Sequence, residues 1–142
     1  MPVPPRVNLI TLGVSDVARS TKFYESLGWK KSEQSVEGTT FIQLGVNVLS
    51  LYGYEKLAED ATVQPGEQQR FPGFTLAINA DSPEEVNEII NSAREVGATI
   101  TKEPEKVFWG GYSGYFADPD GFLWEVAHNP FFPKDDNQYL QI

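Results

Sequence analysis

The sequence predicts an α+β fold made of two βαβββ repeats that form a cleft-bearing, partly closed eight-stranded sheet. Three observations predict it. Residues 6–52 and residues 73–128 each read as a strand, a helix and three further strands. Residues 53–72, polar and broken by Pro65-Gly66, separate the two repeats. Each repeat has one helix, which covers one sheet face, so pairing the repeats around a common cleft buries the other faces. A cleft of that kind is where a ligand would sit.

In the first repeat, residues 6–14 (RVNLITLGV) are rich in branched side chains and read as a strand. Ser15 and Asp16 are both good helix N-caps. Val17, Ser20, Tyr24 and Leu27 then recur at helical spacing with Phe23 beside them, and Gly28 stands where the helix would end. Residues 29–35 are expected to be a second strand. Glu37-Gly38 marks a turn, residues 39–44 (TTFIQL) alternate, and residues 46–52 (VNVLSLY) follow Gly45 as the last strand. The separating segment reads as a linker with one turn of helix near Lys56–Glu59.

The second repeat opens with residues 73–80 (GFTLAINA) as a strand. Ser82-Pro83-Glu84-Glu85 is a strong helix start, with a Ser cap, proline at the first helical position and Glu three residues after the cap to close a capping box. Val86, Ile89, Ile90 and Ala93 make the apolar stripe, and Gly97 ends the helix. Residues 99–108, 114–117 and 122–127 are the three following strands. Asp118-Pro119-Asp120-Gly121 joins the last two as a type I turn. Residues 129–142 form a tail whose Phe131, Phe132 and Tyr139 point to docking. The whole of residues 1–142 reads as a single domain.

Composition narrows the function classes. The chain has no cysteine, which removes disulfides, thiolate metal sites and cysteine nucleophiles and fits a reducing cytoplasm. A net charge of −9, from 20 acidic and 11 basic residues, lacks the basic stripe that nucleic-acid binding requires. That charge serves solubility, or attraction for a cationic ligand. No apolar run approaches the roughly 20 residues needed to span a bilayer, and the first residues show no secretory pattern, so no membrane partner is expected.

Two stretches carry a resemblance to a known family: LGVSDVARSTKFYESLGW at residues 12–29 and GYSGYFADPDGFLWEVAHNP at residues 111–130. On these the chain resembles the vicinal oxygen chelate superfamily, the glyoxalase, bleomycin-resistance and extradiol-dioxygenase fold, over residues 6–130. The resemblance implies a metal in each cleft, held by His, Gln or Glu from four strands. The last ligand would correspond to Glu125, and by the family's spacing the others fall at Leu9, near Ser50 and at Thr75. Residues 6–14, 46–52 and 73–79 contain no His, Asp or Glu, and their amides are Asn8, Asn47 and Asn79. A catalytic zinc or iron needs about three protein ligands. The expectation is therefore a member lacking most metal ligands, with no transition metal in the family position and no cofactor.

Glu125 is the central candidate. Period-2 alternation sends Leu123, Glu125 and Ala127 to one face, and Trp124 and Val126 to the face beneath the helix. Glu125 then faces the cleft, where it can serve as a general base or a cation anchor, or be neutralised by a nearby Arg or Tyr hydroxyl. His128, the one histidine, falls on the opposite face and reads as a capping or packing residue. Trp109 and Tyr112 flank Gly110-Gly111 and either stack on a ligand or pack the turn, whereas Tyr115 and Phe116 read as core. Phe41 and Tyr52 line or fill the first half of the cleft, with Leu9, Ser50 and Thr75 replacing ligands there. These readings lead to a metal-free protein that binds a small cationic or aromatic molecule, as bleomycin-resistance-type proteins do, and that is expected to be a homodimer. The alternative is a lyase or isomerase of the glyoxalase type with Glu125 as base, with or without a metal in an unconventional site.

Overall fold

The computed structural model describes residues 3–67 and 70–142, so Gln68 and Gln69 of the expected linker lie outside the described residues. The chain divides into two compact units, Met1–Arg70 and Phe71–Ile142, and each is described by itself.

The first unit contains β1 (Leu9–Val14), α1 (Val17–Ser26), β2 (Thr39–Leu44), β3 (Asn47–Gly53) and α2 (Tyr54–Asp60). Its sheet has the order β1-β3-β2, with β1 parallel and β2 antiparallel to β3. Of the two candidate caps, Asp16 starts α1: its carboxylate accepts the Arg19 N–H at 3.0 Å. Leu12, Val14, Ile42, Leu49 and Leu51 project to the α1 side of the sheet and are buried. Tyr24, fully buried, stacks on Trp29 with ring centroids 5.5 Å apart.

Residues 29–35 do not form the expected strand, which corrects the eight-stranded reading. Only isolated bridges remain near that segment, at Lys31↔Ile42 and Val36↔Thr39. The reason is local competition. The Ser35 hydroxyl accepts the Phe41 N–H at 2.9 Å, and the Ser32 hydroxyl accepts the Gln34 N–H at 3.1 Å, so side chains take bonds a ladder would need. The described residues thus hold seven strands in two open sheets of three and four strands, not one partly closed sheet of eight.

The segment read as a linker is also more structured than expected. The helix α2 runs for seven residues, buries Ala58 and lies against β1. Gly13 makes this possible: a Cβ there would stand 3.1 Å from Tyr54 Cδ2 and 3.2 Å from Leu57 Cδ2. The Tyr54 hydroxyl then donates to the Gly66 carbonyl at 2.9 Å and accepts the Gly66 N–H at 2.8 Å, fixing the chain's return.

The second unit has the expected βαβββ order: β4 (Leu76–Asn79), α3 (Pro83–Glu95), β5 (Thr99–Lys106), β6 (Tyr112–Ala117) and β7 (Leu123–His128). The sheet order is β4-β7-β6-β5, with β4 parallel to β7 and the other pairs antiparallel. Ser82 caps α3 by accepting the Glu85 N–H at 3.1 Å. The Glu85 carboxylate reaches back to the Asp81 N–H at 2.7 Å, one residue before the cap. Val86, Ile90 and Ala93 of α3 are buried, as are Phe116, Trp124 and Val126, and Phe116 and Trp124 stack at 6.2 Å. At the turn between β6 and β7, Asp118 Oδ1 accepts the N–H groups of Asp120 at 3.0 Å and Phe122 at 2.8 Å.

Tail docking occurs through a cation rather than through the aromatics. Lys134 pairs with Asp81 at 2.5 Å and donates to the Asn79 carbonyl at 3.1 Å, while Phe131, Phe132 and Tyr139 stay substantially exposed. Among the described residues no helix is long and apolar enough to cross a membrane.

Candidate functional site

On the face of the second sheet away from α3, strand register lines up Ala77, Glu125, Tyr115 and Lys102, one from each of β4, β7, β6 and β5. Tyr115, read as core from the sequence, instead sits directly opposite Glu125. Its hydroxyl donates to Glu125 Oε2 at 3.1 Å. Glu125, Tyr115 and Lys102 line one cavity of about 330 Å³, together with Ser113, Glu105 and Trp109 and the ends of the β5–β6 connection.

Glycines shape this cavity. A Cβ on Gly114 would meet the Lys102 carbonyl at 2.9 Å and the Pro104 nitrogen at 3.0 Å, so β5 comes close only because residue 114 has no side chain. The β5 register shifts between Ile100 and Lys102 and again between Lys102 and Glu105, which re-aims its side chains. The 107–111 connection closes on itself through a Val107 N–H to Gly111 carbonyl bond of 3.0 Å. The Trp109 indole lies against Gly111, where a Cβ would stand 1.6 Å from Trp109 Cζ3.

The electrostatics are mixed. Two lysines, Lys102 and Lys106, face two carboxylates, Glu105 and Glu125. Lys102 and Glu105 form a loose pair at 3.7 Å with side chains 37% and 64% exposed, an arrangement that contributes little to stability. Among the described residues no cationic side chain pairs with Glu125; its partner is the neutral phenol of Tyr115. Burial pushes the Tyr115 hydroxyl above its ordinary range, and the Glu125 charge and hydrogen bond push it further the same way.

The other predicted site residues fall elsewhere. Tyr112 points to α3, where its hydroxyl donates to Asn87 Oδ1 at 2.8 Å. Leu9, Phe41, Ser50 and Tyr52 share the face of the first sheet opposite α1, by the pairings Leu9↔Val48, Phe41↔Ser50 and Thr39↔Tyr52. Leu9 is 47% exposed there and Ser50 is buried. Thr75 is exposed and precedes β4, which begins one residue later at Leu76. His128 donates from Nδ1 to the Ala80 carbonyl at 3.1 Å, tying the end of β7 to the residue that follows β4, in keeping with a packing role. A larger cavity of about 570 Å³ in the first unit, between α1 and residues 36–40, holds no predicted site residue. Its buried Thr21 and Thr40 hydroxyls are already bonded to each other at 2.8 Å.

A sequence model of the Glyoxalase/Bleomycin resistance protein/Dioxygenase superfamily matches residues 6–126. The chain belongs to this superfamily. A search of curated proteins finds no match. Among solved structures, a glyoxalase-related enzyme from Fulvimarina pelagi is 30% identical, with 97% of this chain and 98% of that one covered and a TM-score of 0.87. A glyoxalase/bleomycin resistance protein/dioxygenase from Nocardioides is 22% identical (90% and 85% covered, TM-score 0.74). A lactoylglutathione lyase from Agrobacterium tumefaciens is 19% identical (89% and 95% covered, TM-score 0.67). These last two show likeness of fold alone.

The residues of this superfamily member do not fit the family metal. Among the described residues no group of three or more His, Cys, Asp or Glu side chains is placed to hold an ion. The expected positions offer an alkyl group at Leu9 and hydroxyls at Ser50 and Thr75, with Glu125 as the one carboxylate.

Proposed function

We propose that this chain is a metal-free, small-molecule-binding protein of the glyoxalase/bleomycin-resistance type, and that Glu125 anchors a cationic ligand with an aromatic body. One observation carries the reading. Glu125 lines a cavity in which, among the described residues, no cationic side chain pairs with it, while the Tyr115 hydroxyl holds one of its oxygens in place. A ligand ammonium there would gain a charge-assisted hydrogen bond, which is stronger than a neutral one. Trp109, held against Gly111, offers a ring face for cation–π or stacking contact. Working as a homodimer in the cytoplasm belongs to the same proposal, supported by the exposed Phe108, Phe131 and Phe132 and by the absence of cysteine.

Two measurements test it. Elemental analysis of purified protein should find no stoichiometric transition metal; zinc, nickel, manganese or iron that disappears in Glu125→Gln would sink the metal-free reading. A thermal-shift screen with cationic aromatic compounds should give hits that lose their shift in Glu125→Gln. Hits that keep it would remove Glu125 as the anchor.

The second reading is a lyase or isomerase with Glu125 as base, and the observation favouring it is the phenol hydrogen-bonded to that carboxylate. Solvent-deuterium incorporation next to a substrate carbonyl, lost in Glu125→Gln, would support it over simple binding.

A further inference from the structure

We infer that the Glu125 cavity takes a zwitterion: a small aromatic molecule carrying an ammonium and a carboxylate together, as an α-amino acid does. The inference rests on the ligand-binding reading of the same site and names the ligand's second charge. The chain carries a net charge of −9, yet the charged side chains of this cavity, Lys102, Lys106, Glu105 and Glu125, cancel. A ligand that is only cationic meets Lys102 and Lys106, and one that is only anionic meets Glu105 and Glu125. A zwitterion satisfies both signs.

The charges are also ordered across the sheet. Register places Glu125, Tyr115 and Lys102 on three successive strands of one face. Neighbouring strands lie about 4.8 Å apart, so the Glu125 and Lys102 backbones are separated by about 10 Å, a gap that two long side chains narrow to the size of a small dipolar molecule. The Tyr115 hydroxyl, bonded to Glu125, stands between them and leaves the rest of that carboxylate free to accept an ammonium. Among the described residues Lys102 is held only by its loose contact with Glu105, so its ammonium is free to turn to an incoming carboxylate. Trp109 supplies the wall for the aromatic body.

Calorimetric titration with three indoles that differ in charge tests this: L-tryptophan (zwitterion), tryptamine (cation) and indole-3-propionate (anion). Wild type should bind tryptophan about tenfold tighter than tryptamine, with indole-3-propionate weakest. Lys102→Gln, which changes a partly exposed side chain, should bring tryptophan down to the tryptamine level without weakening tryptamine. Glu125→Gln should weaken both. Tryptamine binding at least as tightly as tryptophan, or an unchanged ratio in Lys102→Gln, overturns the zwitterion inference and leaves the cation-binding reading standing. No binding of any of the three overturns both.

Discussion

Glu125 and Tyr115 show how a residue's neighbours decide its use. Tyr115 hydrogen-bonds Glu125 in their shared cavity, and burial together with that carboxylate raises the pKa of the phenol. Its raised pKa has a defined sign in stability. The folded state holds the Tyr115 proton more tightly than the unfolded state, so the contribution is fully present below the unfolded tyrosine pKa of about 10 and is lost as pH rises through the folded value. The melting-temperature advantage of wild type over Tyr115→Phe should therefore hold steady up to about pH 9 and shrink as pH rises from about 10 to about 11.5. A gap constant over that range would contradict the coupling. That Glu125 faces a cavity was legible from alternation alone. The position of Tyr115 was legible too, because a turn at residues 118–121 folds position 115 back against position 125. Placing Tyr115 in the core beside Phe116 overlooks that adjacent strand residues face opposite ways.

Two glycines at the element scale lead to opposite expectations. A methyl group at Gly114 would press on the backbone of β5, at the Lys102 carbonyl and the Pro104 nitrogen. Backbone in a sheet yields little, so Gly114→Ala should lower stability by about 1–3 kcal/mol, read as a shift of the urea midpoint. At Gly111 the obstacle is the outer edge of a half-buried indole, which can swing aside. Gly111→Ala should leave stability nearly unchanged, shift the tryptophan fluorescence and weaken binding of an aromatic ligand. Ser82→Ala, which removes the cap of α3, should cost about 1 kcal/mol in the same urea assay. Helix starts such as this one read well from sequence because the cap is a local device. The 29–35 segment did not, because its serine hydroxyls bond backbone groups and its ladder depended on non-local pairing. The contributions of Lys102 and Glu105 were hidden for a related reason. Their aim depends on the register shifts in β5, which no spacing rule reveals.

For the whole molecule, two units carry the fold of the superfamily to which the chain belongs. Leu9, Ser50 and Thr75 stand where the resemblance implies metal ligands, and no cluster of acidic or imidazole groups replaces them among the described residues. Sedimentation should give a species of twice the 15.9 kDa chain mass if the exposed aromatic surface joins two copies; a species of single chain mass would contradict the homodimer. The central claim, a ligand site that works without metal and is anchored by Glu125, is tested most directly by calorimetric titration of tryptamine into chelator-treated protein. Binding should match that of untreated protein and fall about tenfold or more in Glu125→Gln. Binding that vanishes on chelation and returns when zinc, nickel, manganese or iron is restored would contradict the account.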